Sequence, residues 1–211
     1  MKKTLLILFF CSGIVLAESL GLSDAVIEWV GKKYGAEAKV RTEQWRNLLQ
    51  MDIKDEKEKL NLVNLFFNKI PYLSDLENWQ KKDYWATPVE ALGVNAADCE
   101  DYAIAKYFTL TELGVPSEKL RITYVKAVEL QVAHMVLSYY EEPDAIPLIL
   151  DNLRDDIVIA TKRRDLVPVY SFNADSIWTA VKQGNGQKLG SSSRIKLWQE
   201  LRDKMAEEIK Q

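Results

Sequence analysis

Residues 97–116 read ADCEDYAIAKYFTLTELGVP, and the chain changes its hydrophobic period across them. They predict a helix from Cys99 to about Leu113, stopped by Gly114 and followed by Pro116. Upstream, apolar residues recur at helical steps of three and four. In LSDAVIEWVGKKYG, Ser23 is the expected N-cap, and Val26, Ile27, Val30 and Tyr34 share one face. TEQWRNLLQMD and EKEKLNLVNLFFNKI continue the pattern, with Leu60, Val63, Phe66, Phe67 and Ile70 together until Pro71 ends it. The stretch from Pro71 to Ala97 is aromatic-rich and irregular, with a short helical turn after Pro88. Beyond Pro116 the period falls to two. LRITYVKAV, AHMVLSYY, PLILDNL, DIVIA and VPVYSFN read as strands, and their succession favours an antiparallel sheet. QGNGQKLGSSS reads as a Gly/Ser loop and RIKLWQELRDKMAEEIKQ as a charged terminal helix. Helices first and strands later give an α+β domain.

The same stretch poses a chemical question, because Cys99 stands among Asp98, Glu100 and Asp101. Its compartment bears on the answer. MKKTLLILFFCSGIVLAES has the basic start, apolar middle and small-residue end of a secretory signal, with cleavage expected after Ala17. A signal anchor is the alternative. Phe9-Phe10 before Cys11 exclude a lipoprotein signal. Cleavage leaves residues 18–211 as one domain with a single cysteine, Cys99. Loss of Lys2 and Lys3 lowers the basic residues from 28 to 26 against 31 acidic ones. A net acidic chain argues against a nucleic-acid partner. No later apolar run is long enough for stable membrane insertion.

In an oxidising compartment an unpaired thiol is either buried and inert or chemically useful. His134 is the only histidine. One Cys and one His cannot build a structural zinc site, but they can form a nucleophile and its base. If the AHMVLSYY–PLILDNL hairpin turns at EEPD (residues 141–144), paired residue numbers sum to 285 and His134 falls opposite Asp151. Cys99, His134 and Asp151 then make a nucleophile, a base and an orienting acid. Taken singly, each has a plain structural role as well: a buried thiol, a packing histidine, a strand-ending turn at Asp151-Asn152. The acids at 98, 100 and 101 have two readings. They stabilise a helix start as negative charge, or they hold a hard divalent cation such as calcium.

DYWATPVEALGVNAADCEDYAIAKYFTLTELGVP, LRITYVKA, AHMVLSYY, LILDNL and LVPVYSFN together closely resemble the LapG family of periplasmic, transglutaminase-like cysteine proteases. The resemblance spans about residues 84–173. It implies a papain-like, transglutaminase-like fold with the cysteine helix packed on an antiparallel sheet. It implies Cys99 as nucleophile, His134 as base and Asp151 as third member, with calcium required and served by Asp98, Glu100 and Asp101. The implied substrate is the N-terminal region of a large repeat-rich surface adhesin, cut at an alanine pair, so that biofilm disperses. The implied regulator is the periplasmic domain of an inner-membrane cyclic-di-GMP receptor, which sequesters the protease. Relatives carry a glycine-rich loop before the Asp-Cys pair; here GVNAAD keeps Gly93 but has Ala96 and Ala97. Trp79 and Trp85 are candidates for lining a substrate cleft. Two other functions use the same residues or fold: acyl transfer to an amine, as in transglutaminases or peptidoglycan-modifying enzymes, and non-catalytic binding as a periplasmic adaptor.

Overall fold

The cysteine helix runs from Cys99 to Glu112 and is buried on all sides from Asp101 to Leu110. A helix enclosed in this way has no polar face to give to water, which explains its weak amphipathic pattern. The computed structural model describes residues 20–179 and 186–211. The expected signal segment, residues 1–17, lies outside them, as does part of the Gly/Ser loop. No described helix is long and apolar enough to cross a membrane.

Before the cysteine helix, α6, come α1 (Asp24–Tyr34), α2 (Ala36–Leu49), α3 (Glu56–Phe67), α4 (Asp75–Trp79) and α5 (Pro88–Val94). Ser23 caps α1 by accepting from the Val26 amide at 3.2 Å. Val26, Ile27 and Val30 are buried, as the spacing predicts. From α3, Leu60, Val63 and Phe67 pack toward α6. Trp45 of α2 is fully buried, and its indole N–H donates to Thr109 Oγ1 of α6 at 2.9 Å. That bond removes most of the cost of burying a polar N–H. Gly93 lets α5 approach α1: a Cβ there would lie 2.7 Å from the Tyr34 ring.

The strands are β1 (Leu120–Ala127), β2 (Val132–Tyr139), β3 (Leu148–Asp151), β4 (Arg154–Ile159), β5 (Leu166–Phe172), β6 (Ser176–Thr179) and β7 (Lys188–Ser191). They form one sheet in the order β4-β3-β2-β1-β5-β6-β7. Every pairing is antiparallel. Chain order is broken once. β4 ends at Ile159 beside Leu148, whereas β5 starts at Leu166 beside Ala127, on the far side of β3, β2 and β1. The link 160–165 therefore crosses the sheet. Its flanking Ala160 and Leu166 pack on Val125, Val136 and Ile149, an apolar cluster separate from the main core. The terminal helix α7 (Lys196–Glu208) buries Trp198 and Leu201.

Three features differ from expectation. β3 begins after Pro147, so β2–β3 partners sum to 287 rather than 285: Leu137 faces Leu150 and Tyr139 faces Leu148. α4 occupies part of the stretch that reads as irregular, because five residues show no periodicity. Its start is signed instead by Ser74 and Glu77, whose side chains form a capping box. The Gly/Ser loop also contributes β7, an edge strand of four residues against β6.

Candidate active site

The two-residue change of register keeps His134 and Asp151 on one face, as diagonal rather than direct neighbours. His134 Nε2 lies 2.8 Å from Asp151 Oδ1, and both residues are buried. Asp151 ends β3, where Oδ1 also accepts from the Leu153 amide at 3.1 Å. Its other oxygen lies 2.7 Å from Nη1 of Arg163, a buried residue of the sheet-crossing link. Burial alone would raise the Asp151 carboxyl. The His134 pair, the Leu153 amide and Arg163 outweigh it and hold the group down at about 2. Below the turn, Asn68 Nδ2 donates to the Asp151 and Arg154 carbonyls at 3.0 and 3.1 Å. Asn68 Oδ1 in turn accepts from the buried Lys106 of α6 at 2.6 Å. Burial lowers the Lys106 ammonium to about 7.

Cys99 begins α6, half-buried against the core. Its sulfur lies beside β2, close enough to the amide of Met135, the residue after His134, for that N–H to oppose the rise of the thiol. Its own proton is donated to Glu100 Oε2 at 2.9 Å rather than to His134. Burial and the Glu100 charge both push the thiol up. With Nε2 engaged by Asp151, Nδ1 is the imidazole nitrogen left for a thiol.

The acids around the cysteine divide into two groups. Asp101 is turned inward: Oδ1 accepts from the Ala86 amide at 2.7 Å and Oδ2 from the Asp98 amide at 3.3 Å. Both bonds tie the Asp101 carboxylate to backbone amides at the head of α6. Asp75 of α4 joins Asp98 and Glu100 in the second group, where one carboxylate oxygen of each lies within 4.8 Å of the others. Asp75 Oδ1 and Asp98 Oδ1 are buried without a hydrogen-bond partner. Burial and mutual repulsion raise Asp75 to about 6 and Asp98 to about 10. Unpartnered hard oxygens crowded at this spacing fit a divalent cation.

Trp85 does not line a cleft. It is 4% exposed and stacks on Phe172 at 5.6 Å, inside the core. Trp79 is half-buried with its ring 4.7 Å from Tyr84. Ala96 and Ala97 are buried. Ala97 exchanges backbone bonds with the segment before α4, its amide donating to Pro71 O at 3.2 Å and its carbonyl accepting from Leu73 at 3.0 Å. The loop before the cysteine is thus tied down. Sequence reasoning missed Asp75, whose only signal was the Ser74/Glu77 cap. It missed Arg163 too, for which the sequence carried no signal.

A thiol at the head of a buried helix, next to a strand-borne His–Asp pair, belongs to cysteine-dependent acyl chemistry. Comparison narrows the class. The profile of the bacterial transglutaminase-like cysteine proteinases (BTLCP) matches residues 27–186. Among solved structures, EGTA-treated LapG from Legionella pneumophila is 40% identical over 89% of this chain and 97% of that one, with a TM-score of 0.77. Its calcium-bound form is 41% identical over 89% and 99%, with a TM-score of 0.75. No curated protein matched the sequence. The chain therefore belongs to the bacterial transglutaminase-like cysteine proteinases, and within them to the LapG family. It is a cysteine protease with an α+β, transglutaminase-like fold.

Proposed function

We propose that the chain is a calcium-dependent periplasmic endopeptidase in which Cys99 attacks, His134 is the base and Asp151 aims the imidazole. The buried His134–Asp151 pair, on the strand whose Met135 amide reaches the sulfur, carries this reading. Nδ1 takes the thiol proton while Asp151 holds Nε2–H. Sulfur adds to the peptide carbonyl, and amides at the start of α6 face the developing oxyanion. His134 returns the proton to the leaving amine, then draws a proton from the water that hydrolyses the acyl-enzyme.

Asp75, Asp98 and Glu100 would hold the cation, in keeping with their unpartnered oxygens and with the calcium-bound relative. Bound calcium supplies the positive charge that offsets the repulsion among these acids. Glu100 joins the two parts of the site. It belongs to the acidic cluster and also accepts the hydrogen bond of the Cys99 thiol, so its carboxylate must leave the sulfur before His134 can take that proton.

The substrate under this proposal is the N-terminal region of a large repeat-rich surface adhesin, cleaved at an alanine pair, and its release disperses biofilm. The periplasmic domain of a cyclic-di-GMP receptor sequesters the protease when the nucleotide is abundant. The family resemblance supports this part. The test is incubation of residues 18–211 with the N-terminal segment of the largest repeat-rich adhesin of the same genome. Two fragments with new termini are expected in calcium and none in EGTA. Amine-linked products instead of fragments would favour acyl transfer. Cleavage by Cys99→Ala would refute the nucleophile.

A further inference from the structure

Among the described residues, Arg163 is the one buried cation that reaches the triad carboxylate directly, and it arrives from a link that otherwise only crosses the sheet. Its guanidinium is shared between two acids. Nη1 lies 2.7 Å from Asp151 Oδ2. Nε donates to Asp165 at 3.0 Å and 3.2 Å, and Nη2 donates to Asp165 Oδ2 at 2.7 Å. Arg163 is 4% exposed, and the Asp165 side chain is 29% exposed. The backbone fixes the same residue: its amide donates to Ala160 O at 3.0 Å and its carbonyl accepts from Leu166 at 3.1 Å. Ala160 and Leu166 anchor the link on the second apolar cluster.

Such a chain of contacts has a directional consequence. A carboxylate held at one oxygen by an imidazole is free to swing about its Cβ–Cγ bond. Here the second oxygen is ion-paired at 2.7 Å with Nη1 of a guanidinium whose Nε and Nη2 are themselves clamped by Asp165. Rotation would then break an ion pair in a site closed to water, so the Oδ1 lone pairs stay aimed at Nε2. We propose that Arg163, braced by Asp165, is a positioning residue that sets the orientation of His134 through Asp151. This rests on the triad reading above and extends it by two residues. A lysine at 163 keeps the charge but cannot span both carboxylates.

The test uses Arg163→Lys and Asp165→Asn in residues 18–211, with calcium present and circular dichroism to confirm the fold. His134 is the only histidine, so its ring gives a single, unambiguous set of NMR signals. In the parent protein the Nε2 proton between His134 and Asp151 should appear as one slowly exchanging downfield resonance. Arg163→Lys should broaden or remove it and lower kcat roughly ten- to a hundredfold, with KM little changed. Asp165→Asn should do the same to a smaller degree. In an Asp151→Asn background neither substitution should lower kcat further, because the route through residue 151 is already cut. An unchanged resonance and kcat in Arg163→Lys would overturn the inference. An equal loss in both backgrounds would also overturn it, by marking a purely structural ion pair. If Asp151→Asn alone kept full activity, the triad reading itself would fall, a result distinct from failure at 163.

Discussion

At position 151 one carboxylate serves an imidazole, a guanidinium and a backbone amide, and these outweigh the cost of its burial. Its folded pKa lies below the ordinary value, so the ionised form stabilises the fold. That contribution is present above about 4 and lost as pH falls through about 2. A shift of this size is worth about 2 kcal/mol. Asp151→Asn should therefore flatten the loss of stability between about pH 4 and pH 2, as measured by urea midpoints. A wild-type slope in the variant would contradict the assignment. His134 and Asp151 were legible in the sequence because a lone histidine and a strand-end acid leave few partners to choose from. Arg163 was not, because its position depends on a link that breaks the order of the strands. Asp75 was hidden for another reason: α4 is too short to show a period.

Among the elements, α1, α3, α6 and the first five strands were readable because each carries its period over enough residues. β6 and β7, four residues each, do not. The hairpin register was off by two, yet a change of two preserves the face, so the pair of interest survived the error. Packing between elements makes sharper demands. At Gly93 an added methyl would lie 2.7–2.9 Å from three atoms of the Tyr34 ring. Gly93→Ala should cost about 1–3 kcal/mol in urea unfolding by forcing α5 from α1. At the other end of this contact, Glu208 of α7 accepts from Thr87 Oγ1 at 2.8 Å. Burial, with Glu90 nearby, raises its carboxyl to about 7, while Lys204 and Lys33 oppose this. Here the neutral form suits the fold, so stability falls as pH rises from about 4.5 through 7. Glu208→Gln should melt about 2–4 °C higher than wild type at pH 8 for each kcal/mol of penalty removed, and no higher at pH 4. A gain at both values would point to a cause other than ionisation.

For the whole molecule, the proposed cation site at Asp75, Asp98 and Glu100 would link stability to activity. A ligand at about 100 times its Kd adds about 2.7 kcal/mol to a fold that alone binds it. Calcium should accordingly raise Tm by about 5–10 °C, and EGTA should reverse this. Asp75→Asn and Asp98→Asn should abolish the shift. Asp101→Asn should lower Tm with and without calcium yet keep the shift, because its oxygens cap backbone amides. The family was readable from residues 84–173, and the fold class from the change of period at Pro116. The acidic cluster was not, since it joins α4 to the head of α6 across more than twenty residues. The central claim is that Cys99 becomes a nucleophile when Glu100 releases the thiol and the thiol proton passes to His134. The most direct measurement is the rate of iodoacetamide labelling of Cys99 near neutral pH, in calcium and in EGTA, for wild type and His134→Ala. Fast labelling is predicted only for wild type in calcium, and the same rate in all four samples would contradict the account.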